Sequence, residues 1–419
     1  EWISGFNGSA GTAVVTMTSA ALWTDSRYFI AAEEQLAGTE FQLMRLKVEG
    51  TPSIPQWLGK ELADSRSKEV GLDGMTNACS DVEALISELR AEGGLTLRTN
   101  LEPLNEIWRD RPTVPLNRVE IHQLQYAGEA AADKLKRVRK ALRQQHADGL
   151  LIAALDDIAW TLNLRGSDVH CNPVFVSYLL ISAEKTTLFV DSRKLTAEVE
   201  IYLHGIGFDV REYGEVASAL ARYPDYNILL DADEVNYTLA KAIKCPQVLR
   251  GKSPVPVLKC VKNATEINGF KSAMLKDGIA MVKFLHWLIP AVQKGGETEI
   301  SIDKKLTALR AEQPLFRDIS FDTIAAYQEH GAIVHYEATP ESDVPLKPEG
   351  LLLLDSGAQY LDGTTDITRT IALGPLTEEQ KRVYTLVLKG HIQLELAKFP
   401  DGASGTQIDA LARECLWRE

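Results

Sequence analysis

Leu351-Leu352-Leu353-Leu354-Asp355-Ser356-Gly357-Ala358-Gln359-Tyr360-Leu361-Asp362-Gly363-Thr364-Thr365-Asp366 is the stretch on which the reading of this 419-residue chain turns. An apolar run ends in a carboxylate, the chain reverses near Asp362-Gly363, and it returns with a second carboxylate. Asp-Gly favours tight hairpin turns. With Asp362 and Gly363 as the two turn residues, Asp355 faces Thr370 and Asp366 faces Gln359. Both aspartates and Thr368 then project from one sheet face. They stand four residues out of register, roughly 13 Å along a strand, so a bulge or wider loop, at Gly357, is needed to join them at one site. Two such aspartates are hard oxygen ligands for a divalent ion such as Mn²⁺ or Zn²⁺. The competing reading is a pair of strand-end aspartates that cap turns, the commoner fate of Asp beside Gly.

Outward from this hairpin, strands are expected at Thr323–Ala326, Ala332–His335, Leu351–Leu354 and Thr365–Leu373, behind helices at 266–289 and 299–312. His335 closes the apolar run of Gly331-Ala332-Ile333-Val334-His335-Tyr336, where a lone histidine is usually structural or solvated. Thr377-Glu378-Glu379-Gln380 is a capping box that starts a closing helix; its His391 lies on an apolar-striped helix and is no ligand candidate. Further upstream, Ala20-Ala21-Leu22-Trp23-Thr24-Asp25-Ser26-Arg27 recurs as Thr187-Leu188-Phe189-Val190-Asp191-Ser192-Arg193. Each copy is a strand that ends in Asp-Ser-Arg and follows a Gly-Ser turn, Gly8-Ser9 or Gly166-Ser167. We read two copies of one α/β module, separated by a Pro-containing linker at 109–119.

Three units are therefore expected, 1–115, 116–258 and 259–419, of mixed α/β and α+β class, in keeping with about 150 residues per domain. The 45 Lys+Arg against 58 Asp+Glu give a net charge of −13, the wrong sign for general nucleic-acid binding. The five cysteines include no C-x-x-C pair, which argues against a thiolate zinc site or a disulfide framework and for the cytoplasm. No apolar run approaches the ~18 residues that cross a bilayer, so no membrane partner is expected. No Gly-rich phosphate loop, Gly-x-Ser-x-Gly elbow or His-Glu-x-x-His helix is present.

In chain order, Ser4-Gly5-Phe6-Asn7-Gly8-Ser9-Ala10-Gly11-Thr12, Trp23-Thr24-Asp25-Ser26-Arg27-Tyr28-Phe29, Leu155-Asp156-Asp157-Ile158-Ala159-Trp160, Asn163-Leu164-Arg165-Gly166-Ser167-Asp168-Val169, Asn172-Pro173-Val174-Phe175, Gly331 to Tyr336 and Leu354 to Thr370 resemble aminopeptidase P, the Xaa-Pro aminopeptidases of the pita-bread metallopeptidases. The resemblance covers essentially the whole chain. It implies two creatinase-like N-terminal modules followed by a pita-bread catalytic domain, and a substrate class of peptides with proline in second position. It implies two divalent metal ions, Mn²⁺ foremost with Zn²⁺ or Co²⁺ as alternatives, and attack by a metal-bridging hydroxide. Asp355 and Asp366 match the first two metal ligands, His335 a catalytic histidine that contacts substrate, and Arg27 an arginine that reaches the substrate peptide. For Arg27 a strand-end salt bridge, repeated at Arg193, is the competing reading. The family also implies a homodimer. It needs a further His and two Glu ligands, expected beyond Glu419. The chain starts without Met, at Glu1-Trp2-Ile3, so it is expected to be truncated at both ends and inactive in this form. A prolidase or creatinase, and a non-catalytic pita-bread binding module, are the other readings.

Overall fold

The computed structural model describes residues 1–419. The first unit is built on β1 (Gly11–Val15), β2 (Ala20–Thr24) and β3 (Phe41–Arg45), with β1–β2 antiparallel and β2–β3 parallel. A parallel pair, β4 (Glu69–Gly71) and β5 (Thr96–Arg98), forms its own sheet. Trp23, Trp57, Leu58 and Leu89 make a common core with the helices Ile54–Glu61 and Cys79–Ala91. Residues 111–119 then form no helix or strand, as the prolines dictate.

In the second unit, β6 (Glu120–Ile121) pairs with β8 (Leu164–Arg165). Its main sheet uses β7 (Leu150–Ile152), β9 (Ser177–Ile181), β10 (Thr186–Val190), β11 (Asp209–Arg211), β12 (Asn227–Leu230) and β13 (Gln247–Arg250), in the order β11-β10-β9-β7-β12-β13. β9–β10 is antiparallel and β10–β11 parallel, the same succession as β1–β2–β3. The repeat extends to side chains. After β2, the Arg27 N–H donates to Asp25 at 3.1 Å, and Arg27 Nε and Nη2 donate to its two oxygens at 2.9 and 2.8 Å. After β10, Arg193 does the same to Asp191 at 3.0, 2.9 and 2.6 Å. A strand-end Asp thus caps the 3₁₀ turn that follows in both modules.

The third unit opens with two helices, Ala264–Lys294 and Glu299–Ala311, each started by a capping box, Asn263 with Glu266 and Thr298 with Ser301. Its strands are β14 (Phe316–Ile319), β15 (Ile324–Tyr327), β16 (Leu351–Ser356), β17 (Ala358–Tyr360), β18 (Gly363–Thr364) and β19 (Ile367–Ala372). They form two three-stranded sheets, β15-β16-β19 and β14-β17-β18. Phe284, Leu288, Ile302 and Leu306 of the helices bury against Ala325, Leu352 and Leu354. Two closing helices follow, Glu378–Glu395, with the Thr377–Gln380 capping box in place, and Gly405–Trp417. No helix is long and apolar enough to cross a membrane, and all five cysteines are free.

One expected strand is absent. Gln328–Ala332 is a 3₁₀ helix, residues 333–335 turn, and Gln328 and His335 take positive φ values of 56° and 58°. The cause is a carboxylate buried 31 residues upstream of His330. Glu299 is fully buried and accepts from Tyr327 N–H at 2.7 Å and Tyr336 Oη at 2.9 Å, while His330 Nδ1 lies 2.9 Å from it. These bonds gather the segment around Glu299 instead of letting it extend.

The helices are locked to each other by Arg310, whose Nε and Nη2 donate to Asp277 at 2.7 and 3.0 Å with both side chains at 0% exposure. Tyr360 Oη of β17 also donates to Asp277, at 3.3 Å. Asp277→Ala leaves a buried guanidinium without its counter-charge, and should cost about 3–5 kcal/mol in denaturant unfolding. A second prediction concerns acid. Burial first, then the charges of Arg165 and Lys134, lower the His122 pKa from 6.5 to about 3. The unfolded chain therefore binds a proton that the folded chain refuses, so stability falls as pH drops from 6.5 towards about 3. The contribution is at most about 1.4 kcal/mol per pH unit. Thermal unfolding of His122→Asn across that window should show a flatter acid limb than the parent chain.

Candidate metal centre

Strand alternation decides which way Asp355 faces. Leu352, Leu354 and Ser356 point into the core, so Leu351, Leu353 and Asp355 occupy the half-exposed face of β16. Asp355 is opposite Ile324 of β15 on one side and Thr368 of β19 on the other. Near the hairpin tip, Gln359 pairs with Thr364 and Tyr360 with Gly363. The two loop residues are therefore Leu361 and Asp362, which corrects the expected Asp362-Gly363 turn by one residue. Every cross-strand partner shifts by two, and Asp355 meets Thr368 rather than Thr370. Asp355 and Asp366 thus stand two residues out of register instead of four. Diagonal neighbours of this kind lie about 7–8 Å apart along the backbone, within reach of facing carboxylates.

Tertiary contacts override the local Asp-Gly preference. The Lys276 ammonium donates to Asp362 Oδ1 at 2.6 Å with both side chains 10% exposed, and lies over the Tyr360 ring at 4.7 Å. Gly269 lets the long helix approach, since a Cβ there would sit 2.1 Å from Asp362 O. At Gly357 the ladder breaks and the hairpin passes from one sheet to the other. A Cβ on Gly357 would sit 2.0 Å from Thr365 O and 2.2 Å from Ser320 Oγ. Ser320 Oγ donates to Thr365 O at 2.8 Å, and Thr365 Oγ1 accepts from Ala358 N–H at 3.0 Å. The chain is pinched shut there, immediately beside Asp366.

Asp355 Oδ1 is buried and has no hydrogen-bond partner. Burial raises its pKa, the Thr368 hydroxyl works against that, and the neighbouring Asp366 carboxylate raises it again. Two oxygen donors, one stripped of water and unpaired, facing a like charge, suit a divalent cation. His391 is exposed on the closing helix.

His335 is joined to the first unit. Its Nδ1 lies 2.6 Å from Tyr28 Oη, which is also 2.5 Å from Ser9 Oγ. Arg27 lies over the Tyr28 ring at 5.1 Å while it pairs with Asp25, and this pair holds the Asp25 carboxyl down at about 2. The sequence reading missed Tyr28; its place directly after Arg27 in the Asp-Ser-Arg repeat, where Arg193 has Lys194, was the available signal. A cavity of about 630 Å³ opens between the second and third units, lined by Arg165, Trp160, His122 and Tyr360 among others. None of Arg27, His335, Asp355 or Asp366 lines it, and the chemistry places the candidate centre at the aspartates. Gly357→Ala should force Thr365 outward and loosen Asp366. Calorimetric titration with Mn²⁺ should read at least about tenfold weaker binding than for the parent, with roughly 1–3 kcal/mol lost in stability.

Residues 1–103 and 110–266 each match the Creatinase/Prolidase N-terminal domain, and residues 268–419 match metallopeptidase family M24. Aminopeptidase P2 of Arabidopsis thaliana is 37% identical over all of this chain, which spans 63% of that protein. A probable Xaa-Pro aminopeptidase P of Aspergillus niger is 38% identical, with 70% of its length covered. The X-prolyl aminopeptidase of Caenorhabditis elegans, a cytosolic enzyme with a dinuclear active site, superimposes with a TM-score of 0.93 at 33% identity, over 100% of this chain and 69% of that one. The two repeated α/β modules and the third unit are those of a creatinase-type metallopeptidase, and the chain belongs to the Xaa-Pro aminopeptidase (aminopeptidase P) family.

Proposed function

We propose that the protein, at the length of its relatives, is a metal-dependent aminopeptidase that releases the N-terminal residue from peptides with proline in second position. The observation that carries the reading is the buried, unpartnered Oδ1 of Asp355 set against Asp366 across a broken hairpin. In this reading Asp355 and Asp366 hold part of a pair of divalent ions, Mn²⁺ first because both donors are hard oxygens, with Zn²⁺ or Co²⁺ next. Bound there, the ions supply a nucleophile at neutral pH and polarise the scissile carbonyl. The chain's own groups do the rest. With Nδ1 of His335 taken by Tyr28, Nε2 is the atom left to hydrogen-bond the carbonyl oxygen as it gains charge. Arg27 contributes a guanidinium near the same histidine for the peptide backbone, provided that it yields some of its bond to Asp25. The units are taken as 1–115, 116–258 and 259–419. The cytosol is the proposed compartment, on the free cysteines and the C. elegans relative.

Metal-loaded protein of full length should release alanine from Ala-Pro-Ala and leave Ala-Ala-Ala intact. His335→Ala should lower kcat by about 10²-fold with metal content unchanged. Cleavage of the dipeptide Ala-Pro alone would make it a prolidase. Stoichiometric metal without hydrolysis of either peptide would make it a binding module.

A further inference from the structure

A second cluster of ligating atoms lies outside the aspartate pair and has no part in the proposed reaction. Between β8 and β9 the chain makes a tight turn over Val169–Asn172, with the Asn172 N–H donating to Val169 O at 3.2 Å. His170 and Cys171 are its two central residues, and Cys171 takes a left-handed φ of 59°. The turn is held from several sides. Gln359 Nε2 of β17 donates to Cys171 O at 3.0 Å. The side chain of Asp168, just before it, is fully buried, pairs with Lys194 at 2.6 Å and accepts from Val176 N–H at 2.7 Å. The third unit contributes Asp322, from the link between β14 and β15, with its Oδ1 at 2.8 Å from His170 Nε2. One ligand atom each from His170, Cys171 and Asp322 lie within 4.8 Å of one another.

We propose that His170, Cys171 and Asp322 form a site for one borderline-soft divalent ion of the zinc class, held between the second and third units. An imidazole nitrogen, a thiolate sulfur and a carboxylate oxygen are the donor types that zinc selects, at about 2.0–2.3 Å each, with the fourth position open to water. Those bond lengths put ligand atoms roughly 3.5 Å apart in a tetrahedron, so the 4.8 Å spread requires about 1 Å of closure. The side chains can make that movement, because His170 is 67% and Asp322 46% exposed while the backbone beneath them is fixed. The surroundings favour a cation. Besides burial, the groups that act on the Cys171 thiol are the carboxylates of Asp322, Asp318 and Glu337, and no ammonium or guanidinium offsets them. Binding sends the thiol proton to solvent, since the thiolate is the ligand. The donor set also separates this site from the aspartate pair, whose all-oxygen character suits harder ions. Asp322 lies two residues before Ile324, the partner of Asp355 in the ladder, so an ion here pins the second unit beside the strand that pairs with the one carrying Asp355.

The test uses the chain with Asp355→Ala and Asp366→Ala, so that the oxygen pair and the peptidase reading play no part in its outcome. Co²⁺ is titrated into this metal-free, reduced protein. A thiolate-to-cobalt charge-transfer band in the near ultraviolet is expected, saturating at one ion per chain. It should vanish with Cys171→Ser and weaken by more than about tenfold with His170→Gln and with Asp322→Asn. Unchanged near-ultraviolet circular dichroism of the metal-free variants shows that they fold. Absence of the band overturns the proposal, as does a band that survives Cys171→Ser, which would belong to another cysteine. Equal affinity in His170→Gln and Asp322→Asn would overturn it as well.

Discussion

Gly357 has no room for a side chain: Thr365 O and Ser320 Oγ both lie where a Cβ would go. That exclusion shapes the third unit. Because the two strands approach so closely here, the ladder cannot continue flat, and one hairpin is divided between two sheets. On one side of the break Asp355 still belongs to a regular strand with a buried opposite face. On the other, Asp366 has just left the pinch and is free to lean back across. A continuous hairpin would leave the two carboxylates as ordinary residues of one ladder. The break gives them a shared space, at the cost of a like-charge pair and an orphaned buried oxygen.

Around this pinch, the arrangement depends on rigid support from a distance. The buried Asp277–Arg310 pair joins the two long helices, and Tyr360 and Lys276 connect them to the tip of the hairpin. The N-terminal modules also reach in. Tyr28 touches His335, Gln359 holds the turn at Cys171, and Arg317 pairs with Glu120 at 3.2 Å. The three contacts between units each join polar or charged groups, the kind expected where separately built units pack.

What could be read in the sequence was local and periodic. The strand–Asp-Ser-Arg repeat was visible because each copy carries its own cap and salt bridge within three residues, and the structure repeats both bonds. The Thr377–Gln380 capping box and the alternation through Leu351–Ser356 were legible for the same reason. The misreadings came from partners far along the chain. Asp362-Gly363 carries a strong turn preference, yet Lys276, 86 residues away, claims the Asp362 carboxylate and moves the loop back by one. Ala332-Ile333-Val334 looks like a strand, but Glu299 draws its neighbours inward and Val334 remains 42% exposed. In the candidate site, the residue types were legible but their spacing was wrong by two positions, and Tyr28 was signalled only by its place after Arg27 in the repeat, its contact with His335 being a matter of the fold.

The hydrogen bond from Tyr28 to His335 crosses 307 residues of chain. In the proposed reaction, an imidazole oriented by the N-terminal module makes that module a working part of the site rather than an appendage to it. Gene rearrangements that exchange N-terminal modules between pita-bread proteins would then transplant a histidine conformation along with the scaffold. Drift at the Ser9–Tyr28 contact would shift that histidine as well.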